Sequence, residues 1–150
     1  MTETMQQDTI QQSITINAPI ERVWSLVSRA GWWAGPADFS RPVLQEGETA
    51  DCKTAEYGDF PVRVEKLDPM TFVAFRWASA FPGESLTDGN STLVEFSLRT
   101  EAGGTVVEVR ESGFASLKGE HAFIADQFRG NVEGWEAQLG ELASAAGATA

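Results

Sequence analysis

A chain of 150 residues with 42% hydrophobic residues can build one domain with a real core and is short for two. Its net charge of −11 argues against nucleic acid, whose phosphates require clustered Lys and Arg, and against anionic membrane surfaces. A single cysteine, Cys52, excludes an intrachain disulfide and a cysteine-rich zinc site.

Residues 1–9 are polar and unpatterned, so an unstructured N-terminus is expected there, with the domain spanning 10–143. The start lacks a charged stub followed by an apolar run, which argues against a signal peptide. No segment approaches the roughly 20 apolar residues of a membrane span, and the cytoplasm is the expected location. Ile10, Ile14 and Ile16 mark a first strand, stopped at Asn17-Ala18-Pro19. Asn17 is the candidate N-cap and Pro19 a first-turn proline of a short helix carrying Ile20, Val23, Trp24 and Val27. Gly31-Trp32-Trp33-Ala34-Gly35-Pro36 breaks that helix and is expected to form a second, very short one.

Strands are expected over 39–44, 49–57, 60–67 and 71–77, separated by turn signals at Gly47, Gly58 and Asp68-Pro69. Alternation puts Phe60, Val62 and Val64, then Val73, Phe75 and Trp77, on one face, with Arg63, Glu65 and Arg76 on the other. Residues 78–90 are unpatterned, and an unpatterned stretch that long in a compact domain is either functional or a surface excursion. A hairpin over 91–111 pairs Val94, Phe96 and Leu98 with Thr105, Val107 and Val109. Glu95, Glu108 and Arg110 fall on its opposite face, where Arg110 can relieve both carboxylates. A long amphipathic helix closes the chain over 120–143, with Phe128, Val132, Trp135, Leu139 and Leu142 in one stripe. Asp126, Arg129, Glu133, Glu136 and Glu141 occupy its wet face, and 144–150 is expected to be an unstructured tail. The order is α+β: antiparallel strands that must curl to cover one helix stripe.

Within this order, Ile16-Asn17-Ala18-Pro19-Ile20-Glu21-Arg22-Val23-Trp24 resembles the opening of the SRPBCC superfamily, the birch-pollen-allergen and START-like helix-grip proteins. Val64-Glu65-Lys66-Leu67-Asp68-Pro69, Phe75-Arg76-Trp77, Glu111-Ser112-Gly113-Phe114 and Gly134-Trp135 continue the match. They resemble the branch related to the C-terminal domain of the ATPase activator of the 90-kDa heat-shock protein. The resemblance implies a seven-stranded antiparallel sheet gripping the long helix, two short helices after the first strand, and an elongated apolar cavity. Its members bind lipids, hormones or polyketides, and a few catalyse cyclisation or hydrolysis. Glu111 departs from the pattern, standing where a polar residue, often histidine, is expected.

The candidate ligand-binding set is aromatic: Trp33, Phe39, Phe60, Phe75, Trp77, Phe96, Phe114 and Phe128. No catalytic residue, metal ligand or cofactor is expected. His121, the lone histidine, lacks partners at metal or triad spacing and is expected at the surface. Cys52 is expected to be a buried small apolar residue. Gly130 and Gly134 lie four apart on one side of the long helix, where close packing or room for a ligand would justify them. The expected function is non-catalytic binding of a small hydrophobic molecule by a monomer or homodimer. The alternatives are a co-chaperone-like module that docks on a chaperone or other protein, and an enzyme of the cyclase or aromatase kind.

Overall fold

A computed structural model of the chain describes residues 8–147. Six strands form one curved antiparallel sheet: β1 (Thr9–Ile16), β2 (Thr49–Thr54), β3 (Gly58–Asp68), β4 (Phe72–Trp77), β5 (Thr92–Glu101) and β6 (Gly104–Ser112). Their spatial order is β1-β6-β5-β4-β3-β2, so every neighbouring pair except β1 and β6 is consecutive in the chain. Helix α1 (Ile20–Val27) follows β1, and helix α2 (His121–Gly147) closes the chain.

The alternation read from sequence holds. Val62, Val64, Val73, Phe75, Val94, Phe96, Val107 and Val109 all point into the core. The opposite face carries ion pairs: Arg63 with Glu65 at 2.5 Å and Arg110 with Glu95 at 3.4 Å. Arg110 serves one carboxylate rather than two, because Glu108 accepts instead from Gln11 Nε2 of β1 at 2.9 Å. A bulge at Glu65 shifts the β3–β4 register before Lys66.

Two expectations about the segment after α1 are corrected. Residues 39–44 do not form a seventh strand; only Val43 bridges, to Arg29. Pro42 has no N–H to give a ladder, and the segment is tied down by Ala30 N donating to Pro42 O at 2.9 Å and Arg29 Nη1 to Arg41 O at 3.0 Å. Nor is there a second short helix: residues 30–36 make consecutive turns. Gly31 at φ +78° puts the backbone in the left-handed region, and a Cβ there would lie 2.2 Å from Cys52 Sγ. That close approach folds the Trp32-Trp33 pair inward, where both rings are buried.

Two helix boundaries also move. The N-cap of α1 is Pro19, not Asn17, because Ala18 N turns back to Ile16 O at 2.9 Å and delays the helix. Helix α2 continues to Gly147, past the expected end at Ala143, because Ala146 still buries against the core. The remaining expected tail, 148–150, and residues 1–7 lie outside the described residues. Ile124, Phe128, Trp135, Leu139 and Leu142 form the buried stripe of α2, with Val132 half-buried at its edge. Gln12 Nε2 of β1 donates to Val132 O at 2.9 Å, and Arg22 Nη2 of α1 to Ala145 O at 2.9 Å, so the middle and the C-terminal end of α2 are latched to the start of the chain.

The 78–90 stretch is pinned to the approach to α2. Phe81 packs on Phe123 with ring centroids 5.7 Å apart, and Lys118 sits over Phe81 while pairing with Glu84 at 2.9 Å. Buried Asn90 braces its base, donating to Ser85 O at 2.8 Å and accepting from Thr87 N at 2.8 Å. His121 is exposed at the start of α2. Cys52 is buried against Ala30 O, and burial pushes its thiol up, which keeps it protonated and unreactive.

Candidate ligand cavity and its buried carboxylate

Where α2 crosses the open end of the sheet, a cavity of about 710 Å³ remains between the helix, residues 33–37, and strands β3 and β4. This volume is in the range of small-molecule sites. Trp33, Phe60, Trp77 and Trp135 supply its aromatic wall, and Tyr57 and Pro36 stand at the rim. The helix side is lined by Gly130, Gly134 and Ala137. A Cβ at Gly130 or Gly134 would meet nothing within 4 Å. The two glycines therefore do not permit close packing; they keep space open.

Of the eight aromatic residues predicted from sequence, Trp33, Phe60 and Trp77 line this cavity. The other five lie elsewhere. Phe75 and Phe96 are fully buried behind the wall, with Trp33 packed on them at centroid distances of 5.0 and 5.5 Å. Phe39 stacks on Trp32 at 5.2 Å. Phe114 and Phe128 pack edge-to-face at 5.1 Å beneath the start of α2. Among the described residues no cluster of His, Cys, Asp or Glu has the makings of a metal site. No helix among them is long and apolar enough to cross a membrane.

The residue that sequence reasoning left without a role is Glu111. Its side chain is fully buried, and both oxygens are saturated. Oε1 accepts from Trp135 Nε1 at 2.8 Å and Asn131 Nδ2 at 3.0 Å; Oε2 accepts from Trp77 Nε1 at 2.9 Å and Thr92 Oγ1 at 2.5 Å. One carboxyl thus ties together the end of β4, the start of β5, β6 and the middle of α2. Three of its donors, Trp77, Asn131 and Trp135, are cavity-lining residues, so Glu111 sets how the wall stands. Burial pushes its carboxyl above the ordinary glutamate value, and the four hydrogen bonds pull the other way without cancelling it. The signal was present in the strand period: Glu111 lies two residues past Val109 and pairs directly with Val94, so it shares their inward face.

Two polar side chains of α2 complete the lining. Asn131 Nδ2 also donates to Ser79 Oγ at 3.0 Å, and Gln138 Nε2 donates to Trp33 O at 2.9 Å and Gly35 O at 2.7 Å. Gln138 thereby holds the turn that carries Trp33 against the helix.

Three proteins of solved structure share this architecture at low sequence identity. Protein MLL2253 from Mesorhizobium loti is 18% identical, with a TM-score of 0.73 over 95% of this chain and 98% of its own. The Aha1 dimer from Colwellia psychrerythraea is 20% identical, with a TM-score of 0.70 over 93% of this chain and 96% of its own. DynU16, a protein of the dynemicin biosynthetic locus, is 20% identical with a TM-score of 0.65; the match covers 91% of this chain but 46% of that one. At these identities the likeness shows a shared helix-grip fold. No curated protein sequence matches the chain. Residues 17–147, from the end of β1 to the end of α2, match the family described as Activator of Hsp90 ATPase homolog 1-like protein, and the chain belongs to that family.

Proposed function

We propose that this chain binds a small, largely apolar molecule in the cavity under α2 without transforming it. The observation that carries this reading is the pairing of an aromatic wall, Trp33, Phe60, Trp77 and Trp135, with two helix glycines that leave the space in front of it empty. A glycine inside a helix costs about 1 kcal/mol relative to alanine. Two of them facing a void are a stability cost that occupancy by a ligand accounts for. Binding would be driven by burial of apolar ligand surface, roughly 25 cal/mol per Å² before association costs.

Native mass spectrometry of the protein from its own source, followed by organic extraction, tests this directly. One small apolar molecule per chain is the expected result. A bare chain mass, together with no thermal shift from a panel of lipids and aromatics, would reject the reading. Substitutions at Gly134 give an independent check. Gly134→Ala is expected to raise unfolding free energy by about 1 kcal/mol, because its Cβ meets nothing within 4 Å. Gly134→Phe is expected to keep the urea midpoint near wild type and abolish ligand uptake by filling the cavity.

A second reading, a protein-interaction module, is favoured by membership of a family named for an ATPase activator. Stimulated turnover of a 90-kDa heat-shock ATPase would support it, and the absence of any complex at micromolar concentration would reject it. A cyclase or aromatase activity has less support. Arg63, Glu65 and Arg76 face away from the cavity, and Glu111 is enclosed by its own four donors.

A further inference from the structure

We infer that the cavity selects a flat aromatic molecule whose polar end is a hydrogen-bond donor, a hydroxyl or an amine, and that it rejects carboxylates; this rests on the ligand-binding reading above. Two carboxamides seven residues apart on α2, Asn131 and Gln138, both line the cavity. A carboxamide nitrogen has two hydrogens, and here all four are committed. Asn131 donates to Glu111 Oε1 and Ser79 Oγ, and Gln138 to the carbonyls of Trp33 and Gly35. Gln138 cannot be turned round. A carbonyl oxygen only accepts, so a flipped Gln138 would set oxygen against two oxygens.

The same holds for Asn131 while Glu111 is ionised or carries its proton on Oε2. In the second case the proton goes to the Thr92 hydroxyl beside Oε2. In both states Oε1 accepts from Trp135 and Asn131, and Asn131 turns its nitrogen to it. What each amide leaves uncommitted is its oxygen.

The charged lining agrees in sign, while the hydroxyls of Ser79 and Tyr57 can donate as well as accept. No Lys, Arg or His lines the cavity, and its one charged residue is Glu141. The indole Nε1 of Trp33 has no partner, but it is sealed from solvent and offers the cavity no donor. An entering carboxylate would give up its hydration, meet two amide oxygens and an acidic rim, and find no cation, a combination that penalises a buried charge severely. A hydroxyl or amine finds acceptors instead, and a protonated amine gains further from the indole faces. The amides stand about 10 Å apart along the helix, the reach of a two- or three-ring molecule.

Equilibrium dialysis of the full chain against 2-naphthol, 2-methylnaphthalene and 2-naphthoate at neutral pH tests this, since the three share a ring system and differ in polar end. The expected order is naphthol tightest, methylnaphthalene severalfold weaker, and naphthoate weaker than naphthol by about tenfold or more. Asn131→Leu and Gln138→Leu are the companion variants. At least one should lose the naphthol preference while still binding methylnaphthalene, which also shows that it remains folded. Naphthoate binding as tightly as naphthol, or a naphthol preference intact in both variants, would overturn the polarity inference alone. No binding by any of the three would reject the cavity as an aromatic-ligand site altogether.

Discussion

Glu111→Leu is expected to lower unfolding free energy by about 3–5 kcal/mol, the scale of breaking a buried, fully paired polar network by removing one partner. Leucine matches the shape but accepts nothing, leaving Trp77 Nε1, Trp135 Nε1, Asn131 Nδ2 and Thr92 Oγ1 facing a hydrocarbon. Each orphaned donor costs about 1–3 kcal/mol. The sum overstates the loss, because the Thr92 hydroxyl can rotate and Asn131 keeps Ser79. For a chain of this size the melting temperature should fall on the order of 10 °C. Urea unfolding reads the effect, and a loss under about 1 kcal/mol would mean that the carboxyl is not the tie between sheet and helix.

The same residue predicts a pH dependence of definite sign. Burial, opposed by the hydrogen bonds, holds its carboxyl above the ordinary value of 4.5. Between that value and the raised one, the folded chain keeps a proton that the unfolded chain has released. Stability from this group is therefore complete at acid pH and is lost as pH rises through the folded value. Glu111→Gln does not titrate, so the stability gap between wild type and this variant should narrow from pH 4.5 to pH 8. A gap that widens would show a carboxyl held below its ordinary value by its four donors.

Trp33→Ala is the second large effect, expected at about 3–5 kcal/mol for removing a buried aromatic. Trp33 is 3% exposed and meets Phe75, Trp77, Phe96, Trp135 and Trp32 at centroid distances from 5.0 to 5.9 Å. It is the hub through which the turn after α1, the sheet and α2 share one core. It also lines the cavity, whereas Phe96 does not. Phe96→Ala should cost comparable stability, and a ligand should rescue it by more than it rescues Trp33→Ala. Equal rescue in thermal-shift measurements would mean that Trp33 is core alone.

Much of the sheet was legible because a strand with one buried face must alternate. Phe60-Val62-Val64 and Val94-Phe96-Leu98 each declare their inward side, and the register of β5 with β6 follows from matching those sides. Residues 39–44 failed as a strand because an apolar look does not supply a hydrogen-bonding partner, and Pro42 and Gly31 direct the chain into turns. The candidate site was legible in part. Aromatic residues were easy to name, but ring chemistry does not distinguish a cavity wall from the core behind it. Trp77 and Phe75 lie two residues apart on the same face of β4, and one lines the space while the other is sealed off.

By itself the amino-acid sequence determined the α+β class, the antiparallel pairing of successive strands, the amphipathic stripe of α2 and the family, because each rests on local period or on motifs in chain order; the pairing of β1 with β6 came only from the structure. The tertiary structure alone decided the candidate site. Glu111, Asn131 and Gln138 have no period that marks them as partners, and they matter through contacts between residues 20 to 105 apart. Hydrogen-bond direction, which commits the amide nitrogens and leaves the oxygens, arises only when helix and sheet have packed. A sequence states which groups are present; packing decides which of their donors and acceptors remain for a ligand.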